Sequence, residues 1–248
     1  MRSPRIAFAG AMYHVTIRCN NREFWFGNDA DFALYLQVLQ RAKNIYKVAV
    51  YAYCLTSNHV HLVVATPKKN NLSRFMQYLN GNFAKAYNQA HGKTGHFWGE
   101  RFFSTVIESE TQLFNTLAYV ELNMVRAGVV ADPYDWLWSS YRAHVGGETN
   151  PVLDRHSLYD ALGSSDAERQ VAYRAMIVGQ MEEKGLGRSG GTEQGTLLTR
   201  GLIAGSRAFV EKVLARWRRQ AYYRLWEVVE PPDGSGCLIR RLPHSQHR

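Results

Sequence analysis

The side chains in this sequence whose types and spacing could do chemistry are two histidines one residue apart, His59 and His61, and a tyrosine four residues before an asparagine, Tyr119 and Asn123. In "SNHVHLVV" the apolar Val60, Leu62 and Val64 alternate with the histidines. Strand side chains alternate with period two, so both imidazoles share one face while the apolar set faces a core. Two neutral ring nitrogens held this close have the bite of one divalent cation. The other reading is a pair of histidines hydrogen-bonded within a polar sheet face. Two ligands make a poor metal site, and "LFNTLAYVELNMVRAG" offers a third on a helix, where residues four apart project from one face. Asn123 is an oxygen donor suited to a hard ion such as Mg²⁺ or Mn²⁺. Tyr119 carries a hydroxyl able to attack phosphorus, or is one more packed aromatic in a chain with 14 tyrosines. Glu121, two residues from each, points elsewhere.

The elements that must position these residues follow from the pattern around them. "AMYHVTIRCNNRE" (11–23) alternates and reads as a strand ending in an Asn-Asn turn. Residues 29–46 carry apolar positions at helical spacing behind a cap at Asn28 or Asp29. Strands are expected at 48–55 and 59–66, joined tightly by "TSN". A helix capped by Asn71 or Ser73 runs to about Ala90. The loop "HGKTGHFWGERF" leads into a strand at 102–109, and a helix from Thr111 to Arg126 stops at Gly128, a glycine suited to a helix C-terminus. Strand, helix, strand, strand, helix, strand is the split βαβ order of an α+β, ferredoxin-like antiparallel sheet, here with one helix added. Helices on one face of such a sheet leave the other, with His59 and His61, free of helices and open to a site. Beyond "DPYDWLWSSYRAH" the texture changes. Residues 145–154 read as a linker, 164–183 as a helix opened by a Ser165 and Glu168 capping box, and 184–196 as a glycine-rich stretch without a phosphate-loop pattern. Residues 206–226 read as a basic amphipathic helix, which grips nucleic acid through Lys212, Arg216, Arg218, Arg219 and Arg224 or packs through Phe209, Val213, Leu214 and Trp217. The division is thus 1–145 as one domain and 146–248 as a mainly helical, basic C-terminal region, a DNA-binding appendage in one reading.

Taken together, "SNHVHLVV", "GHFWGERFFSTVIES" and "LAYVELNMVRAGVV", with "YHVTIRCNNRE" ahead of them, resemble the REP-associated tyrosine transposases, single-tyrosine members of the HUH (His-hydrophobic-His) endonucleases, over about residues 10–145. The resemblance implies the HUH endonuclease fold, a metal held by His59, His61 and Asn123, and Tyr119 as nucleophile. It implies cutting of single-stranded DNA near hairpins, with Mg²⁺ or Mn²⁺ and a covalent 5′-phosphotyrosine intermediate, followed by strand transfer. One departure is Met124, where the family commonly has proline; methionine suits a helix interior better.

Composition is compatible with this. A formal charge of +9 favours polyanionic partners, nucleic acid first and an acidic membrane surface second. No segment approaches the roughly 18 uninterrupted apolar residues of a spanning helix, and no signal peptide is read. Three scattered cysteines, with no C-x-x-C pair, fit a reducing cytosol and argue against a cysteine zinc site. Arg18, Arg22, Lys85, Lys93, Arg101 and Arg126 are the cations expected to meet phosphates, with Phe97, Trp98 and Phe102 as stacking surfaces for unpaired bases. The expected partner is single-stranded or hairpin DNA, bound by a monomer or homodimer in the cytoplasm, at the nucleoid. Two other functions share the fold. One is a domesticated protein that binds DNA or RNA hairpins without cutting them, and the other a metal phosphoesterase that uses water and needs an acidic base.

Overall fold

The computed structural model describes residues 5–108, 112–183, 185–186, 201–217, 226–229 and 237–241. Its first elements follow the expected order: β1 (Met12–Arg18), α1 (Asp29–Tyr46), β2 (Ala49–Leu55), β3 (His59–Ala65), α2 (Asn71–Ala90), β4 (Phe103–Ile107) and α3 (Leu113–Glu121). The four strands lie side by side as β2-β3-β1-β4, all antiparallel, which is the α+β, ferredoxin-like arrangement. The Asn28 side chain accepts from the Asp31 amide at 3.1 Å and so caps α1 as expected. The start of α2 differs: Asn70 is its cap residue, and Asn71 donates instead to the Tyr46 carbonyl at 2.7 Å, tying α2 to the end of α1. β1 is shorter than the expected 11–23 and ends at Arg18. Asn20–Arg22 then form a 3-10 turn with Asn21 and Arg22 at φ 53° and 60°.

One face of the sheet is covered by α1 and α2, which pack Phe32, Tyr35, Leu39, Phe75, Leu79 and Phe83 against Val60, Leu62 and Val64. The other face is not free of helices, contrary to the reading from the sequence. α3 lays Leu113, Leu117 and Ala118 on Ala52, Cys54 and Val63. Outside α3 lie α5 (Tyr141–Gly146) and α7 (Asp166–Glu183), whose Tyr141, Val145, Tyr173 and Ile177 complete a second core. The cause is visible in the strands: β3 is buried at consecutive positions, as happens when both faces of a sheet are covered. The uncovered part of this face is the end where Arg18 closes β1 and, paired with it, His59 opens β3.

Among its described residues the C-terminal stretch carries α5, α6 (Ser157–Asp160), α7 and α8 (Arg207–Trp217), and also three strands, so it is not as purely helical as the sequence reads. β5 (Ile203–Gly205) pairs in parallel with β4, β7 (Cys237–Arg241) with β5, and β6 (Trp226–Val229) with β7, giving a sheet of seven. The 145–154 segment is no free linker. Asp154 exchanges hydrogen bonds with Val50 on the outer edge of β2, and Lys43 bridges to Asp154 at 3.0 Å. An edge covered this way is closed to pairing with other chains. Ile203 and Val210 join the first core and Tyr173 and Ile177 the second, so residues before and after 146 share their cores. The capping box at Ser165 and Glu168 forms, and Gly128 takes φ 69° behind the last helical turn of the tyrosine segment. α8 packs through Val213, Leu214 and Trp217 with Lys212 and Arg216 exposed. Arg218, Arg219 and Arg224, most of the 184–196 stretch and the last seven residues lie outside the described residues. Among the described residues no helix is long and apolar enough to cross a membrane.

If the C-terminal region completes the core under α3, Tyr173→Ala should destabilise the whole chain by about 3 kcal/mol or more, the usual range for an aromatic truncated in a core. Denaturant unfolding measures this, and a loss below about 1 kcal/mol would show that α7 is peripheral.

Candidate active site under an arginine-lined cleft

Cross-strand register places the chemistry. β1 and β3 pair Thr16 with His61 and Arg18 with His59, and His14 with Val63 one step further in. His59, His61 and Tyr119 line a cleft of about 650 Å³ together with Arg18, Arg22, Glu100 and Arg101. The turn at Asn20–Arg22 forms one wall. It is held by Asn20 N–H donating to the Phe97 carbonyl at 2.8 Å and by the Asn58 side chain donating to the Arg22 carbonyl at 3.1 Å. Gly99 packs so close that a Cβ there would meet the Asn20 backbone at 3.2 Å. The two left-handed residues are therefore fixed in place, and with them the direction in which Arg22 leaves the chain.

The tyrosine segment is not one helix from 111 to 126. α3 ends at Glu121 and α4 (Asn123–Arg126) begins after Leu122, whose φ of −84° and ψ of 7° interrupt the helix. Residues 109–111, with the expected start at Thr111, lie outside the described residues. Tyr119 and Asn123 nevertheless reach the same place. Asn123 Nδ2 lies 3.1 Å from His61 Nε2, and the Tyr119 ring stands edge-on to His61 with centroids 5.8 Å apart. Arg126 lies flat against the other side of the tyrosine: its guanidinium carbon is 3.7 Å from the ring centroid and its Nη2 donates to the Tyr119 carbonyl. Arg126 is half-buried, so a cation–π contact of this kind contributes about 1 kcal/mol and favours this orientation of the ring. Glu121 points away, as expected, into the second core.

The proton inventory of His59 follows from its neighbours. Its Nδ1 is 2.6 Å from Asn58 Oδ1 and 2.8 Å from Thr56 Oγ1, and the Thr56 hydroxyl donates its own proton to the His59 carbonyl. A carbonyl oxygen only accepts, so Nδ1 carries the hydrogen and Nε2 the lone pair. That Nε2 is buried and has no hydrogen-bond partner. Buried polar atoms are rarely left so, because each costs about 1–3 kcal/mol. Burial, with Arg18 adding to it, lowers the His59 pKa to about 4. Burial and then His59, His14 and Arg126 hold His61 well below the ordinary histidine value. Both rings are therefore neutral at pH 7, the form in which imidazole binds a cation. Among the described residues no group of three His, Cys, Asp or Glu could hold a metal. The set here is two imidazoles and the Asn123 amide, neutral throughout; with the amide turned from its Nδ2 contact with His61 so that the oxygen faces the site, it fits a divalent ion whose remaining positions are filled by water or phosphate oxygens.

The expected site residues divide. His59, His61, Tyr119, Asn123, Arg18, Arg22 and Arg101 come together, and Arg126 supports Tyr119 from behind. Lys85 does not join them; it is exposed on α2, which covers the opposite face, and does not line the cleft. Lys93 sits 4.8 Å over the Trp25 ring. Phe97, Trp98 and Phe102 are not free stacking surfaces. Phe97 is buried among Trp25, Phe26, Phe83 and Tyr87, Trp98 packs beside it, and Phe102 is buried with Arg5 3.6 Å over its ring. Among the described residues the exposed aromatic is Phe24, 77% accessible and two residues beyond the cleft wall. Sequence reasoning missed it, as it missed His14. His14 Nε2 is 3.0 Å from His61 Nδ1, and both rings are buried.

Residues 7–123 match the family described as "Transposase IS200 like". A protein of Haemophilus influenzae named as a REP-associated tyrosine transposase is 27% identical over 116 residues, 43% of this chain and 66% of that protein, just under two thirds of its length. A solved structure of a REP-associated tyrosine transposase bound to a REP hairpin superposes with a TM-score of 0.51 at 18% identity, over 63% of this chain and 92% of that one. At that identity the likeness is one of fold.

The lowered histidine pKa values have a measurable consequence in metal-free protein. The unfolded chain takes up these protons near the ordinary value of about 6.5, the folded protein at His59 only near about 4. Stability is therefore full above pH 6.5 and falls as the pH is lowered from 6.5 toward 4. Urea midpoints at about pH 7.5 and pH 5 should differ less in a His59→Gln, His61→Gln double variant than in the natural chain, and equal differences would contradict the assignment.

Proposed function

We propose, from the match of residues 7–123 to the IS200-like transposases, that this chain nicks and rejoins single-stranded DNA beside a hairpin, using Tyr119 as nucleophile and a divalent cation at His59, His61 and Asn123. The observation that carries this is the orphaned, buried His59 Nε2, which opens beside His61 and Asn123 and next to Tyr119 in a cleft lined by arginines. The hairpin enters the proposal from the similar solved structure, which is bound to one.

Each residue then has a task. Arg18, Arg22 and Arg101 draw the DNA backbone into the cleft and fix which phosphate reaches its floor. Mg²⁺ or Mn²⁺, when bound by the two imidazoles and the Asn123 amide oxygen, supplies Lewis-acid polarisation of the scissile phosphate. The Tyr119 oxygen forms a bond to phosphorus as the bond from phosphorus to the 3′-oxygen breaks. The tyrosine proton is lost and the 3′-oxygen gains one, leaving a 3′-hydroxyl and a 5′-phosphotyrosine. Bond energy is conserved in that ester, so a second 3′-hydroxyl reverses the exchange and joins a new strand without ATP. Arg126, stacked on the ring and bonded to the carbonyl of the same residue, keeps Tyr119 aimed through both halves. Substrate must be unpaired at the cut, because the phosphate has to reach buried nitrogens at the end of a sheet.

A second reading has one observation in its favour: Glu100 places a carboxylate in the cleft, where it could activate water for simple hydrolysis. Incubating the protein with hairpin-bearing single-stranded DNA and Mn²⁺, then separating products under denaturing conditions, distinguishes the two. A covalent protein–DNA adduct should form, vanish in Tyr119→Phe, and fall to background in His59→Ala. Cleavage that survives Tyr119→Phe and is lost in Glu100→Gln would favour water. Hairpin binding with no cleavage under Mg²⁺ or Mn²⁺ would make this a binding protein.

A further inference from the structure

We propose that His14 is a positioning residue: it accepts the Nδ1 proton of His61 and thereby turns the His61 Nε2 lone pair toward Asn123 and the cleft. The inference deepens the proposed metal-dependent reading and rests on the same site. His14 lies on β1 opposite Val63, so it is the diagonal cross-strand neighbour of His61, and both side chains are buried, at 1% and 3% exposure. The two rings are parallel to within 3°, with centroids 5.2 Å apart and His14 Nε2 only 3.0 Å from His61 Nδ1. That nitrogen separation is shorter than the about 3.5 Å at which ring atoms stack face to face, so the rings meet edge to edge. Imidazole N–H groups and lone pairs lie in the ring plane, and this is the geometry of an in-plane hydrogen bond.

A neutral imidazole has one N–H and one lone pair, so one ring must donate and the other accept. The far side of His61 decides which. Asn123 Nδ2, a donor only, faces His61 Nε2 at 3.1 Å. Nε2 is therefore the acceptor, the proton sits on Nδ1, and His14 Nε2 receives it. The hydrogen bonds run in one direction, from Asn123 to His61 to His14. With the direction reversed, His14 would donate to Nδ1, and His61 would carry its hydrogen on Nε2, where it would block a cation. His59 is set the same way by Asn58 Oδ1. Two different acceptors, an amide on a turn and a histidine on the neighbouring strand, thus leave both Nε2 lone pairs facing the site. Partners of this kind that orient a ligand commonly contribute 10–100-fold in metal affinity.

The test reads the proton itself. Two-bond ¹H–¹⁵N correlation spectra of the imidazoles in metal-free, full-length protein should show His61 protonated at Nδ1 and bare at Nε2. In His14→Gln, whose amide oxygen can still accept, that pattern should persist, and Mn²⁺ affinity measured by EPR without DNA should stay within about threefold of the natural chain. In His14→Leu nothing accepts the Nδ1 proton, so the Asn123 amide should turn its oxygen to His61, the Nε2–H form should appear, and affinity should fall about 10–100-fold. A natural chain with His61 protonated at Nε2 would overturn the proposal, even if His14→Leu fails to fold. So would a His14→Leu variant with unchanged tautomer and affinity, or a His14→Gln variant as weak as the leucine, which would mark the role as packing. The spectrum does not depend on DNA cleavage. A protein with the expected tautomer and no adduct would keep the role of His14 and sink the nicking reading.

Discussion

Glu121 is 1% exposed, and its side chain is surrounded by three donors: Ser140 Oγ at 2.5 Å, His144 Nδ1 at 2.7 Å and the Tyr173 hydroxyl at 2.7 Å. A carboxylate taken out of water is costly unless such partners are all present. They come from three places. Ser140 also bonds both backbone groups of Tyr53 on β2, His144 belongs to α5, and Tyr173 belongs to α7, where burial and then Glu121 hold its pKa well above 10 and keep it a donor. The single side chain at the end of α3 therefore requires the C-terminal helices to be docked and the sheet to lie beneath them. The break at Leu122 follows at once, and Asn123 emerges from it onto His61. What holds Tyr119 over the histidines is thus a polar clamp at Glu121, two residues from Tyr119 and from Asn123, buried in a core that the C-terminal region helps to build.

The electrostatics of the site divide along the same line. Its floor is neutral: two imidazoles kept uncharged by burial, one amide and a tyrosine hydroxyl. Its rim is cationic, with Arg18, Arg22 and Arg101 around the cleft. A floor without anionic donors attracts a divalent ion weakly by itself, and the proposed substrate supplies the missing negative charge as phosphate. In the proposed reaction the rim also gives the net charge of +9 a purpose: long-range attraction would bring in the DNA and local geometry would choose among its phosphates.

Much of this was legible in the sequence for physical reasons. Period-two alternation at Val60, Leu62 and Val64 fixed the face of the histidine pair, and helical spacing brought Tyr119 near Asn123 even across a break. Asn28, Gly128, and Ser165 with Glu168 announced helix ends because each answers a backbone need that few residues meet. What was not legible depended on distant packing. His14 means nothing until β1 and β3 are in register, since His61 lies 47 residues away. The closing of the second sheet face depends on Tyr173 and Ile177, which look like ordinary helix residues. Phe97, Trp98 and Phe102 drew attention by standing next to a motif, yet the loop that carries them folds inward, and among the described residues the accessible ring is Phe24.

Everything proposed for this chain turns on His59, His61 and Asn123 forming one cation site beside Tyr119. Crystals of the Tyr119→Phe protein soaked in Mn²⁺ with a hairpin-bearing single strand would show that site by anomalous diffraction. One strong peak is expected within bonding distance of both His59 Nε2 and His61 Nε2, with a phosphate oxygen on its open side. A peak elsewhere, or a phosphate in the cleft with no metal between the two imidazoles, would contradict it.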